Sequence, residues 1–225
     1  MNAIVSPERT ARRVEGARRR SATPSGRRAL HGVIGVLLVA GAVYTQTFQM
    51  TSEDSVMPLT WKGTIGQAVT TTRFSAKVES ITAAHAVRFD DPGGRPVDVQ
   101  TDALFLIVKV SATVPKEPMQ LAKLTPPVLL SGDGRRYNPT DKVDEGATLF
   151  QKWIQPGWWA TGVLVYEVPR DALPGADFVF LPPTGLIVVD SMLPEAQIDL
   201  GLDQAAADRL AGQAADTVTL TGAGG

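Results

Sequence analysis

From Pro58 to about Gly201 the apolar residues recur at every second position, and this period of two restricts the chain more than any other feature. A strand turns alternate side chains to opposite faces, whereas a helix needs apolar residues three and four apart. Phe74, Ala76 and Val78 alternate with Ser75, Lys77 and Glu79, which predicts a strand with one wet face. Leu104, Leu106, Val108, Val110, Ala112 and Val114 share one face of a longer run. Lys109, Ser111 and Thr113 stand opposite only towards its end, so this run reads as a central strand, more buried at its start. Val128–Leu130, Val163–Val168, Phe178 with Phe180, and Leu186–Val189 continue the scheme. Asp90-Asp91-Pro92-Gly93-Gly94, Ser131-Gly132-Asp133-Gly134, Pro156-Gly157 and Pro174-Gly175 are turn signals between them. The expected fold is all-β: an immunoglobulin-like antiparallel β-sandwich over residues 62–201, six to eight short strands with hardly any helical period. After Asp199 the composition changes, and Asp203 to Ala211 reads as a helix of two or three turns within a last segment, 202–225, that ends in a flexible tail.

The other end of the chain has a different character. Residues 1–28 hold eight arginines against Glu8 and Glu15, a net charge of +6, while residues 29–225 hold fourteen basic and twenty-one acidic residues, a net charge of −7. Between them, Ala29 to Ser52 are twenty-four residues without a formally charged side chain. As a helix they would reach about 36 Å, against a bilayer core of roughly 30 Å. Three readings stand here. In the first, residues 29–50 are an uncleaved transmembrane helix, joined by a linker, 51–61, to the sandwich. Arg27 and Arg28 flank it on one side and Glu53 and Asp54 on the other, so the N-terminus is cytoplasmic and the sandwich extracytoplasmic. In the second, Ala40-Gly41-Ala42 is the cleavage site of a signal peptide, with Gly26-Arg27-Arg28-Ala29-Leu30 resembling the twin-arginine type. The third, a buried core helix, fits least well behind so arginine-rich an arm. The arm itself, 1–28, reads as disordered and attracted to anionic inner-leaflet lipid rather than to nucleic acid, since it lacks interleaved aromatics.

Chemistry is sparse. Without a cysteine there is no disulfide, thiolate metal site or cysteine nucleophile. The two histidines are His31, within the uncharged segment, and His85, read as a strand residue and not a catalyst. Asp90, Asp91, Asp98 and Asp102, and separately Asp141, Asp144 and Glu145, are acidic groups without the spacing of a calcium loop. Nothing selects two carboxylates for glycoside hydrolysis, and no GxSxG, P-loop, GxGxxG or HExxH motif occurs. No catalytic residue, metal set or cofactor is therefore assigned.

The stretch Ser131-Gly-Asp-Gly-Arg-Arg-Tyr137, then Gln155-Pro-Gly157, then Gly162-Val-Leu-Val-Tyr-Glu-Val-Pro169 resembles the telokin-like bacterial extracytoplasmic domains, a family of unknown function related in fold to a small secreted immunogenic protein of mycobacteria. The resemblance spans residues 60 to 190 and implies an immunoglobulin-like domain behind a signal or anchor; it carries no catalytic residue. Tyr166 stands where the family often has Phe. The arginine-rich arm and the tryptophan pair after Pro156-Gly157 depart from its pattern.

Trp153, Trp158 and Trp159 are the candidate partner-binding residues. If Trp158 and Trp159 are extended, one ring enters the core and the other does not. An indole left outside, rimmed by Gln151, Lys152 and Arg170, has the composition of a binding hot spot. The sequence thus reads as a single-pass membrane protein presenting a binding or scaffold domain to an envelope or membrane partner. The alternatives are a processed, secreted domain that binds a small ligand or metal and, behind it, a cell-wall hydrolase.

Overall fold

Alternation becomes two stacked sheets in the computed structural model, which describes residues 59–183 and 193–221. The chain divides into two units, residues 1–50 and 51–225, and the described residues all belong to the second. The arm, the transmembrane segment, most of the linker, the strand expected at Leu186–Val189 and the end at Gly222–Gly225 lie outside them. Among the described residues no helix is long and apolar enough to cross a membrane.

Ten strands are formed by the described residues: β1 (Leu59–Thr64), β2 (Val69–Thr70), β3 (Ser75–Asp90), β4 (Pro96–Thr113), β5 (Val128–Leu130), β6 (Arg136–Tyr137), β7 (Ala160–Val168), β8 (Asp177–Phe180), β9 (Pro194–Asp199) and β10 (Ala215–Thr219). One sheet runs β1-β9-β8-β5-β6; the other runs β10-β3-β4-β7, with β2 paired to β3 beside it. The sandwich is therefore mixed rather than antiparallel, because β1 lies parallel to β9 and β10 parallel to β3. Turn signals report only on neighbours in sequence, and both parallel pairs join segments more than a hundred residues apart.

Two boundaries are also corrected. β1 starts at Leu59, inside the expected linker. The sheet also does not end at 201: after the expected helix, α1 (Gln204–Gly212), which Asp203 caps by accepting the Ala206 amide at 2.7 Å, β10 adds to it.

The space between the sheets is filled by Phe74, just before β3, and by alternate residues of β3, β4, β7, β8 and β9, among them Leu106, Leu164, Tyr166, Phe178, Phe180 and Ile198. Phe74 and Phe180 lie 5.0 Å apart, centroid to centroid, and the buried Tyr166 hydroxyl donates to the Pro127 carbonyl at 3.0 Å. Burial pushes that hydroxyl well above the usual tyrosine range. A second cluster covers the other face of the β3–β4–β7 sheet: Val87, Phe89, Phe105, Ile107 and Val165, capped by Val143, Ala147 and Leu220. This is why both faces of β4 are buried from Leu104 to Val108, where its apolar run begins, as expected.

β3 and β4 form one long hairpin whose far half the alternation did not reveal. The register shifts between Val78 and Ser80 and again between Ala84 and Ala86, so a strict period of two is lost although pairing continues to Asp90 and Pro96. Asp91 closes its turn by accepting the amides of Gly93 and Arg95, each at 2.8 Å.

The Ser131–Gly134 turn between β5 and β6 is held by backbone proximity and charge. A Cβ on Gly132 would stand 2.7 Å from the Pro174 carbonyl oxygen. Gly132→Ala is expected to destabilise the fold by about 1–3 kcal/mol, the range for overpacking; an unchanged denaturation midpoint would contradict the close approach. Arg135 Nε meets Asp133 at 2.7 Å and its Nη2 meets Asp171 at 2.9 Å. The Arg135 guanidinium, helped by Ser131, holds the Asp133 carboxyl down to about 2. A depressed carboxylate contributes stability above its unfolded value near 3.8, and this contribution is lost as pH falls towards 2. Comparison of the denaturation midpoints of the wild type and Asp133→Asn should show a gap at pH 5 that closes by pH 2. A gap constant over that range would assign the effect to packing.

Candidate tryptophan-lined site

The site begins with Ile154, which is completely buried and ties its loop to the core by two backbone hydrogen bonds with Met119, at 2.8 and 2.9 Å. Local alternation then turns Trp153 and Gln155 outward. Pro156 and Gly157 follow, the glycine at φ 75, a conformation that disfavours any side chain, and the Trp158 amide reaches back to the Gln155 carbonyl. β7 starts only at Ala160, so Trp158 and Trp159 sit in the turn and not in an extended strand. The condition on which one of the pair would enter the core, an extended pair, is therefore not met, and both rings stay outside. Trp153 is 58%, Trp158 77% and Trp159 48% exposed. Together with Gln155 and Ala160 they surround one shallow hollow of about 300 Å³. The core position near them belongs to Ile154 instead.

Two further hollows continue along the same end. One of about 310 Å³ is lined by Gly157, which precedes Trp158 in the chain, and by Thr113, Val114 and Pro115. The next, of about 520 Å³, shares Val114 and Pro115 with it and is lined by Arg73, Lys116, Glu117 and Met119. Lys152 adjoins Trp153 and is half-buried. The rim expected from sequence is only partly formed. Arg170 follows the far end of β7, about 27 Å along the strand from Ala160, and Gln151 lines a different cavity. Lys116 and Arg73 were missed because they are distant in sequence; a basic residue on each side of the β3–β4 hairpin's open end was the available signal.

Strand pairing places this end relative to the rest of the chain. Ala160 is opposite Ala112 and Ser75 opposite Thr113, Phe74 stacks near Phe180, Phe180 is opposite Ala196, and Pro194 is opposite Leu59. The tryptophans therefore lie at the end of the sandwich where β1 begins. Leu59 itself is 48% exposed there.

Several of the acidic residues have local partners. Asp98 is paired with Arg88 through two hydrogen bonds of 2.6 and 2.8 Å, and the Arg88 guanidinium lowers its carboxyl below the ordinary range. Asp144 accepts the Gly146 amide, and Glu145 pairs with Lys123. Among the described residues no three His, Cys, Asp or Glu side chains gather as a metal-holding group. His85 lies on β3, half-buried, at the second register shift. A cavity of about 550 Å³ under the 138–151 loop, lined by Asn138, Thr140, Asp144, Gln151 and Leu164 among others, had no sequence signal because its walls come from separate segments.

No known family profile matches the chain, and no curated protein matches it significantly. Among solved structures, the chain is similar to the yjhA protein of Bacillus subtilis, with TM-score 0.45 and 18% identity over 61% of this chain and 99% of that one. It is similar to the secreted protein MPT63 of Mycobacterium tuberculosis, with TM-score 0.43 and 15% identity over 64% of this chain and 98% of that one. It is also similar to a β-sandwich protein of Clostridium difficile, with TM-score 0.39 and 8% identity over 64% and 95%.

Proposed function

We propose that the chain is a membrane-tethered extracytoplasmic binding domain, an immunoglobulin-like sandwich whose tryptophan end is its contact surface for an envelope or membrane partner. The convergence of three exposed indoles on one hollow carries this reading. Tryptophan has a large apolar body and one polar N–H, so it is concentrated where proteins meet other molecules and is disfavoured on bare surface. The tether reading rests on the sequence: the uncharged residues 29–52, with Arg27 and Arg28 before them and Glu53 and Asp54 after, orient the sandwich outward.

The test is a photo-crosslinking amino acid at Gln155, which is exposed and borders the hollow. Irradiation of intact cells should give a discrete adduct, its class read by mass spectrometry. Absence of any adduct, with the protein present at normal level, would defeat the reading. Fractionation separates the tether from its alternative: an anchored chain stays with membranes through a high-salt wash and keeps its arginine arm, whereas a chain cleaved after Ala42 begins at Val43 and is released.

A further inference from the structure

We infer that the tryptophan end of the sandwich rests in the lipid headgroup layer of the membrane that holds the tether. This names the partner for the surface just described and rests on the tethered reading. Three observations carry it.

The first is distance along the chain. Only residues 51–58 separate the membrane segment read over 29–50 from β1 at Leu59. Eight residues, fully extended, span at most about 28 Å. The tryptophans lie at the end of the sandwich where β1 begins, so a tether ending at residue 50 leaves this end within about 28 Å of its last residue.

The second is composition. Indoles with an apolar body and a single N–H donor concentrate at the boundary between hydrocarbon and water. Here three of them share an end of the sandwich with a half-exposed Leu59. Arg73, Lys116 and Lys152 are on the same end, where the described acidic residues include Glu117 and the nearly buried Glu195, opposite Thr60. Lys116 and Lys152 beside the indoles can meet headgroup phosphates while the rings occupy the boundary layer.

The third is shape. The hollow that the tryptophans surround is a shallow one of about 300 Å³, and the two other hollows described on this end share Val114 and Pro115 with each other. Such a surface suits a soft layer that moulds to it. A protein hot spot centres on a well-packed, fully desolvated pocket.

The test uses the full chain reconstituted into vesicles of phosphatidylcholine and phosphatidylglycerol, with Trp61→Phe so that Trp153, Trp158 and Trp159 are the emitters. Lipid brominated high on its acyl chains should quench the emission at least twofold, and aqueous iodide should quench it little. In parallel, the unaltered chain with the crosslinker at Gln155 should yield a lipid adduct in cells. If the protein resists carbonate extraction yet is quenched by iodide and not by brominated lipid, the headgroup placement is wrong while the tether stands. If Gln155 yields a protein adduct instead, the placement is wrong and the binding surface stands. Release of the protein by carbonate would remove the tether, and this inference with it.

Discussion

Replacing Phe105 with alanine is expected to lower folding stability by about 3–5 kcal/mol, as much as the same truncation at Phe178 between the sheets. Phe105 lies on the face of β4 that points away from the sandwich interior, where a two-layer fold is ordinarily wet. Here it is completely buried, packed in the second cluster with Ala84, Ile107, Val165, Val143 and Ala147. Opposite it in register stand Ala84 on one side and Glu167 on the other, and the Lys142 ammonium, paired with Glu167 at 2.8 Å, lies 6.0 Å from the ring centroid. Truncation removes the ring from all of these at once and leaves a cavity bounded by strands that cannot close on it. Chemical denaturation followed by fluorescence measures the loss. A cost under about 1 kcal/mol, the level of an exposed site, would mean that the outer cluster contributes little and that the fold has one core.

The second large effect is functional. Replacing Trp158 and Trp159 together with serine is expected to reduce the Gln155 adduct at least tenfold in intact cells. The same change should leave the denaturation midpoint nearly unmoved, because both rings are exposed and the loop is held by Ile154 and Met119. The two readouts separate recognition from folding. A double variant that folds and is crosslinked as efficiently as the wild type would show that the indoles are not the contact, and would return attention to the sheet edges and the cavity under the 138–151 loop.

How much of this was legible beforehand differed from element to element. Leu104 to Val114 announced a central strand because burial on both faces writes itself as a continuous apolar run. Asp203 announced its helix because a cap acts within three residues. Trp153, Trp158 and Trp159 were visible as residue types, but their meeting round one hollow was not, since it depends on the φ of Gly157 and on the anchoring of Ile154 by Met119. Arg170 was misjudged as a neighbour for the same reason: ten or so positions along a strand is a long way in space.

What the sequence determined by itself is local: period two, the turn chemistry, the cap, the uncharged segment and the separation of charge on either side of it. These follow from interactions within a few residues or from composition, which need no tertiary partner. Only the folded chain decided that β1 joins β9 and β10 joins β3 in parallel, that Phe105 has a covered face, and that the tryptophans share the end where β1 begins. Each of those outcomes is set by contacts between segments far apart in sequence, and a periodicity measured along one segment holds no information about which other segment will cover it.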